Sequence, residues 1–192
     1  FCTEYNILLI CDEVQIGCSR SGTFFSFERA DIVPDIVCMS KSIGGYGLPF
    51  ALTLLKREID VFKPGEHNGT FRGCQLSIVA AKAALEMTVE KDIPKIVKQK
   101  ELIVKEYLEK EIKPLLKEKM EIRGIGLSWG IEFNDGVLAR SVLDKCFEKK
   151  LIIELAGRND SVLKIMPSLL IEEDLLIKGL NIIKESIIEK LK

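Results

Sequence analysis

The sequence predicts an α/β protein: a mostly parallel sheet with helices on both faces, followed by a smaller α/β domain. Three short apolar runs lie in the first 55 residues, and polar or glycine-containing segments bound each of them. Runs of this kind are typical of strands that are buried on both faces. Helical patterns and further strands then follow to the end of the 192 residues, a length that allows one or two domains.

The three apolar runs are the expected strands of the sheet. Residues 7–11 form the first and end abruptly at two acidic residues, and Ile36–Met39 form the second. Residues 50–55 form the third, which is entered through a loop rich in glycine. The segment 17–30 is polar and too irregular for a clean crossover helix, so we expect a long functional loop there.

The later elements follow from helical and strand periodicity. Alanines and an apolar face formed by Leu76, Val79, Ala83 and Met87 predict a helix over residues 75–89. A charged amphipathic helix is expected over residues 94–114, and such a helix often joins two domains. The remaining predicted elements are two strands within 121–133, a helix over 137–149, strands over 151–155 and 162–165, and a helix over 172–191.

This pattern predicts three parts of the chain. Residues 1–93 form the C-terminal part of a large domain, residues 94–118 form a linking helix, and residues 119–192 form a small C-terminal α/β domain. Because Phe1 rather than a methionine comes first and a buried strand pattern follows almost at once, we expect the chain to begin in the middle of a domain.

The composition argues against several classes of protein. There are 28 Lys and Arg against 29 Asp and Glu, so no basic excess is available for nucleic acid. The longest stretch without a charged residue, 42–55, is shorter than the roughly 18 apolar residues that a membrane span needs. A single histidine and six cysteines without a CxxC pair predict neither a metal site nor a Ser/His/Asp triad, and they favour free thiols in a reducing, cytoplasmic setting.

Asp12 and Lys41 each lie just past the C-terminal end of a predicted strand. Ligands bind at that edge of a doubly covered α/β sheet, so the two residues are candidates for one site. A lysine there can react with a carbonyl group, and pyridoxal phosphate uses such a lysine together with an acid at its ring nitrogen. Taken singly, the aspartate is equally a turn cap and the lysine a solvated surface cation.

The segments around both residues resemble a known family. Asp12 opens the pattern DEVQxGxxRxGxxFxFE, Lys41 lies within PDIVxxSKxIGG, and GTFRG follows at residues 69–73. These motifs resemble the class III, ornithine-type branch of the fold type I aminotransferases, over almost the whole chain. The resemblance implies part of a fold type I large domain, a small α/β C-terminal domain, and pyridoxal 5'-phosphate as the cofactor.

The resemblance also implies roles for individual residues. Asp12 matches an aspartate that pairs with the pyridine nitrogen, whereas Val14 matches a valine that packs on the ring and Gln15 a glutamine near the ring hydroxyl. The lysine that matches Lys41 forms the internal aldimine. Thr70 matches a threonine that reaches the cofactor phosphate of the neighbouring subunit. The implied assembly is a homodimer or higher oligomer with shared cofactor sites.

Two longer segments bear on the substrate. KPGEHNGTFRG at 63–73 and KSIGGYGLPFAL at 41–52 narrow the resemblance to the diaminobutyrate–2-oxoglutarate aminotransferases of ectoine synthesis. Within the first segment we expect His67 to be structural, and Arg72 to bind a substrate carboxylate or to form a structural ion pair. Lys164 occupies the place where many class III members carry an arginine for the α-carboxylate, and a lysine supplies charge without the two-donor fork.

The implied activity transfers an amino group from glutamate to aspartate 4-semialdehyde, which yields 2-oxoglutarate and 2,4-diaminobutyrate in the cytoplasm. Amino acids and oxo acids or aldehydes are then the small-molecule partners, with neither nucleic acid nor a membrane involved. Two alternatives stay open. The chain is a truncated or split fragment that is inactive without an N-terminal half, or it belongs to another class III enzyme that uses ornithine or 4-aminobutyrate.

Overall fold

The computed structural model describes residues 1–45, 47–116, 120–133 and 135–191. The chain divides into two compact units, Phe1–Pro94 and Lys95–Lys192. The domain limits drawn from the sequence remain a prediction, and the one between residues 118 and 119 falls on residues outside the described ranges.

The first unit contains a three-stranded sheet in the order β1-β2-β3. Its strands are β1 (Ile10–Asp12), β2 (Ile36–Met39) and β3 (Leu52–Leu55). β1 and β2 are parallel, whereas β2 and β3 are antiparallel. The second strand has the predicted limits, and the other two begin later than predicted because loop backbone replaces the start of each apolar run.

One side chain ties the three strands together at the end of the sheet where β2 begins. The Asp35 carboxylate accepts hydrogen bonds from the backbone N–H of Leu9 at 2.7 Å and from Lys56 Nζ at 2.7 Å. Leu9 precedes β1, and Lys56 follows β3. Both bonds lower the pKa of Asp35, and the bond from the Leu9 backbone has the larger effect. The opposite end of β1 and β2 is where a site can form.

The connection between β1 and β2 is irregular, as predicted. It consists of turns followed by a 3-10 helix at Ser26–Ala30. Three residues of the unit, Val37, Met39 and Ile43, form a small buried core, and the partly buried side chains packed against it include Phe24, Phe25 and Phe27. The aromatic side chains of this connection therefore cover one part of the sheet.

The expectation that the strands are buried on both faces is wrong for the described chain. Leu8 and Ile10 are 53% and 58% exposed, and Leu54 in β3 is 46% exposed. Three short strands, one long helix and one aromatic connection supply too little apolar surface to cover both faces of this sheet. The apolar runs correctly predict strands, but some of their side chains are exposed to solvent in this chain.

The helix predicted over 75–89 is present as α1 (Gln75–Glu90), but its predicted apolar face is not the buried one. Leu76 is 70% exposed and Val79 is 65% exposed, whereas Ser77 and Ala81 are buried. α1 packs against the turn Lys41–Gly44 through small residues, because they allow the two backbones to approach closely. Hydrophobic periodicity alone therefore selected the wrong face.

The predicted charged helix is present, and all but its first two residues belong to the second unit. α2 (Ile93–Tyr107) continues through a π-helical turn at Leu108–Ile112. Its apolar stripe, Val97, Val104, Leu108 and Ile112, is fully buried. Polar bonds also attach this segment to the last helix of the same unit: Tyr107 Oη donates to Asn181 Oδ1 at 2.5 Å, and Lys184 Nζ donates to Glu111 Oε2 at 2.5 Å.

The rest of the second unit is a four-stranded antiparallel sheet with two helices. The elements are β4 (Glu121–Ile125), β5 (Ser128–Glu132), α3 (Gly136–Glu148), β6 (Glu154–Ala156), β7 (Val162–Ile165) and α4 (Glu173–Leu191). The strand order is β4-β5-β7-β6, and helices α3 and α4 pack on each other, with α3 also contacting β6 and β7. Asp135 begins α3 by accepting the backbone N–H of Leu138 at 2.8 Å.

The predicted α/β class is confirmed by both units. Among the described residues, none of the helices has the length and apolar character that crossing a membrane requires.

Candidate cofactor site

Asp12 and Lys41 lie at the same edge of the first sheet. Asp12 is the last residue of β1 and pairs with Cys38 of β2, one residue before that strand ends. Lys41 begins the short turn that follows β2. Because β1 and β2 run parallel, their C-terminal ends meet at one edge, and an acid and an amine are presented there from neighbouring strands.

The Asp12 carboxylate is oriented by the backbone that follows it. Its Oδ1 accepts the backbone N–H of Val14 at 3.0 Å, and the Asp12 side chain is exposed. Val14 is half-buried and Gln15 is exposed. The three residues of the DEVQ motif that were singled out from the sequence therefore lie together after β1, with the carboxylate open to a ligand.

Lys41 has an unusual backbone for a residue with a side chain. Its φ of 52° places it in the left-handed region, which costs roughly 1–2 kcal/mol outside glycine. The surrounding turn holds this conformation: Ser40 Oγ donates to the carbonyl oxygen of Phe50 at 3.2 Å, and Ile43 is buried in the core. Such conformations are frequent at functional sites.

The Lys41 amine is open to a ligand. Its side chain is exposed, and across residues 1–45, 47–116, 120–133 and 135–191 neither a hydrogen bond nor an ion pair engages it. Lys56, which lies at the other end of the sheet, is instead paired with Asp35 at 2.7 Å. Of these two sheet lysines, Lys41 is the one whose amine is available for chemistry.

Two thiols of the first unit, those of Cys11 and Cys18, are weak nucleophiles toward a carbonyl group. Burial, with the negative charge of Glu13 as a second cause, raises the pKa of Cys18 to about 11. The same two causes raise the pKa of Cys11. Since the thiolate is the nucleophilic form, both cysteines stay in the unreactive thiol form at neutral pH.

Thr70 and Arg72 lie in a different part of the first unit, the exposed loop that precedes α1. The backbone N–H of Arg72 donates to the carbonyl oxygen of Gly69 at 3.0 Å, and its side chain folds over the same glycine. His67 stacks on Phe62 with ring centroids 4.8 Å apart, which supports the structural role expected for it. Thr70 and Arg72 therefore share one exposed loop, which is separate in sequence from the strand ends that carry Asp12 and Lys41.

Lys164 lies in the second unit, on β7, where its backbone is level with Glu154 of β6. The two side chains form an ion pair. The Lys164 amine, which the sequence suggested as a partner for a substrate carboxylate, is thus already paired with the Glu154 carboxylate. Within the described ranges, no group of three or more His, Cys, Asp or Glu residues is arranged to hold a metal ion.

Sequence reasoning missed two acidic residues, Glu13 and Glu154. Glu13 is buried next to the exposed Asp12, and Glu154 pairs with Lys164. A signal for Glu13 was present, because successive residues of a strand point to opposite sides, so one member of an acidic pair at a strand end turns inward. No local signal could have indicated Glu154, since its pairing depends on strand register.

Comparison with known proteins identifies the family of the chain. The family model described as aminotransferase class-III matches residues 1–187. A diaminobutyrate–2-oxoglutarate transaminase of Wolinella succinogenes is 51% identical over 191 residues, which is 100% of this chain and 44% of that protein. The enzyme of the same name from Sporosarcina pasteurii is 49% identical over 187 residues, covering 96% of this chain and 44% of the relative.

Solved structures agree with the fold. A Bacillus anthracis aminotransferase is 31% identical with a TM-score of 0.88, over 98% of this chain and 46% of that one. The ornithine aminotransferase of Toxoplasma gondii is 26% identical with a TM-score of 0.90, over 100% and 46%. The predicted fold class, part of a fold type I large domain with a small α/β domain, is confirmed, and the chain spans less than half the length of these proteins. The chain belongs to the class III aminotransferase family.

Proposed function

We propose that the complete protein is a pyridoxal phosphate-dependent aminotransferase that transfers the amino group of glutamate to aspartate 4-semialdehyde. The observation that carries the chemistry is the common edge of β1 and β2, where Asp12 and Lys41 are both exposed. The diaminobutyrate–2-oxoglutarate transaminases that are 49–51% identical to the chain support the choice of substrates.

The residues at this edge fit the cofactor. An exposed carboxylate that a backbone N–H already orients suits a protonated ring nitrogen. An amine that pairs with none of the described residues suits an aldehyde carbon. When bound, pyridoxal phosphate supplies an electron sink that makes the α-proton of an amino acid removable. Asp12 and Lys41 come from adjacent strands, as two groups that act on opposite ends of one small ring should.

The chain's own residues divide the remaining work. Lys41 would hold the cofactor through its Nζ, and as a free amine it would move the α-proton of the substrate as a general base and acid. Asp12 keeps a proton on the ring nitrogen, while Val14 and Gln15 orient the ring. The Thr70 hydroxyl would donate a hydrogen bond to a cofactor phosphate across a two-fold interface.

Two cations are proposed for the substrate carboxylates. Arg72 offers a two-donor fork on the exposed loop before α1. Lys164 offers a point charge, and a substrate carboxylate there competes with Glu154 for it. In this proposal the protein is a cytoplasmic homodimer, or a higher oligomer, with shared cofactor sites.

The complete protein provides the test. Addition of pyridoxal phosphate is expected to produce a visible absorption band, and glutamate with aspartate 4-semialdehyde is expected to give 2,4-diaminobutyrate and 2-oxoglutarate. Parallel assays with ornithine and with 4-aminobutyrate measure the alternative donors. The specific proposal is wrong if either of these gives the higher kcat/KM, and the general one is wrong if no cofactor binds.

A second candidate is that these 192 residues are inactive without the rest of the protein. Two observations favour it: the chain spans 44% of its relatives, and apolar strand residues such as Leu8 and Ile10 are more than half exposed. Assay of the chain alone beside the complete protein separates the two cases. Equal turnover per chain would contradict the need for a further segment.

A further inference from the structure

Glu13 is a carboxylic acid buried in the first unit, with 2% of its surface exposed. Burial of a carboxylate is costly unless its oxygens accept hydrogen bonds. The backbone N–H of Ser26 donates to both oxygens at 3.0 Å, the Ser26 hydroxyl donates to Oε1 at 2.6 Å, and the backbone N–H of Phe27 donates to Oε1 at 3.3 Å. The start of the 26–30 helix therefore satisfies this carboxylate.

The backbone of Glu13 belongs to the edge that carries Asp12. Its N–H donates to the carbonyl oxygen of Cys38 at 2.9 Å, which continues the pairing of β1 and β2 by one residue. Its carbonyl oxygen accepts the N–H of Gly17 at 3.1 Å. A Cβ on Gly17 would lie 2.7 Å from that oxygen, so the turn closes tightly. Glu13 thus joins the strand edge, this turn and the 26–30 helix.

This arrangement has a consequence for the neighbouring acid. Because successive strand residues point to opposite sides, the inward Glu13 leaves Asp12 facing outward. We propose that Glu13 is a positioning residue: by binding the start of the 26–30 helix, it keeps Asp12, Val14 and Gln15 at the sheet edge. The inference rests on the proposed function, since that function is what gives Asp12 its role.

Amide hydrogen exchange of the cofactor-free, full-length protein tests the mechanical part. Glu13→Gln removes the negative charge and replaces one accepting oxygen with an NH₂ group, which cannot accept a hydrogen bond. The N–H groups of Ser26 and Phe27 are therefore expected to exchange faster. If Glu13 positions the edge, the N–H groups of Val14 and Gly17 also exchange faster. Unchanged exchange at Val14 and Gly17 would overturn the inference, because the carboxylate would then support only the distant helix.

A matched control is available in the same helix. Glu28 also accepts a backbone N–H, that of Phe25 at 2.8 Å, but it is exposed. Glu28→Gln is expected to change exchange at Phe25 and to leave Val14 unchanged. Faster exchange at Val14 in both variants would show that any loosening of the loop reaches the edge, and would remove the special role of Glu13.

A double-mutant cycle tests the link to Asp12 with a spectroscopic readout. Glu13→Gln is expected to weaken pyridoxal phosphate binding roughly tenfold, measured from its visible absorbance. In an Asp12→Asn background the same substitution is expected to add less than about twofold, because the group it positions is already gone. A full tenfold loss in both backgrounds would overturn the inference.

Two features keep this test decisive. If Glu13→Gln does not fold, Ser26→Ala removes only the 2.6 Å hydroxyl donor and is expected to give a smaller loss with the same dependence on Asp12. Failure of the unmodified protein to bind the cofactor would count against the proposed function. The exchange experiment would still decide whether Glu13 holds the Asp12 segment.

Discussion

Gly45 lies directly against the backbone of Ala80, and this contact seats the Lys41 turn on helix α1. A Cβ at Gly45 would lie 2.9 Å from the carbonyl oxygen of Ala80, and the φ of Gly45 is +71°. Only glycine tolerates both the close approach and the left-handed backbone. The turn that presents Lys41 is thus fixed by a small residue four positions beyond it.

Gly45→Ala is expected to destabilise the first unit and to displace the Lys41 turn. Overpacking costs about 1–3 kcal/mol, and left-handed backbone adds about 1–2 kcal/mol. Gly47→Ala is the matched control, because its φ is +88° but no described atom lies within 4 Å of the added Cβ. Thermal unfolding of the complete protein measures both. Equal losses in the two variants would show that the contact with Ala80 contributes nothing.

Lys41→Ala is expected to abolish the covalent attachment of pyridoxal phosphate and to reduce turnover at least about a thousandfold, since the base is lost. Borohydride reduction followed by peptide mass mapping measures the attachment. Lys63→Ala, at another exposed lysine of the first unit, is expected to retain it. A reduced adduct that persists in Lys41→Ala would refute the assignment.

Asp12→Ala is expected to keep part of the cofactor binding and to lose roughly a hundredfold or more of the turnover. An electron sink is weak when no carboxylate holds a proton on its ring nitrogen. Asp60→Ala, at an exposed aspartate beyond β3, serves as the control. Single-turnover kinetics at saturating cofactor measure the effect, and near-normal rates in Asp12→Ala would contradict this role.

Lys164→Met is expected to raise the KM for glutamate roughly tenfold while kcat changes little, as when uniform binding is removed. The ion pair with Glu154 limits the effect, because this lysine already has a carboxylate partner. Lys178→Met, at an exposed lysine of the same unit, is expected to leave KM unchanged. An unaltered KM in both variants would leave Lys164 with a structural role only.

Asp35 makes the stability of the first sheet depend on pH. Its pKa is lowered from 3.8, first by the hydrogen bond from Leu9 and then by Lys56. A carboxylate whose pKa is lowered by folding stabilises the folded state at pH values above its ordinary pKa. This contribution is lost as the pH falls through the lowered pKa. Asp35→Asn is therefore expected to melt at a lower temperature than the unmodified protein at pH 7, with the difference shrinking below about pH 3. A difference that is the same at both pH values would contradict the ion pair.

Much of the fold could be predicted from local patterns. The limits of β2 and β7 match the expected ones, and α1, α3 and α4 differ from expectation by about one residue at either end. Side-chain burial was less predictable. Leu76 and Val79 of α1 are exposed, whereas Ser77 and Ala81 are buried. A count of apolar residues cannot predict that a helix is buried on its small residues.

Part of the candidate site could also be predicted from local patterns. Asp12 and Lys41 each follow an apolar run in the sequence, and parallel pairing brings such positions together. The pairing of Lys164 with Glu154 was not predictable, because it depends on the register of β6 on β7. The inward turn of Glu13 depends on the return of the chain to Ser26.

The sequence by itself determined the order of the elements, the motifs around Asp12 and Lys41, and the family of the chain. Each of these depends on residues that are close together in the sequence, such as apolar runs, glycines in turns and the polar residues at strand ends. Which apolar surfaces are covered, which backbone φ Lys41 adopts and which acid is buried were decided only by tertiary structure. These properties depend on contacts between residues that lie far apart in the chain, such as Gly45 with Ala80 and Glu13 with Ser26. Local sequence patterns do not indicate which distant residues come into contact.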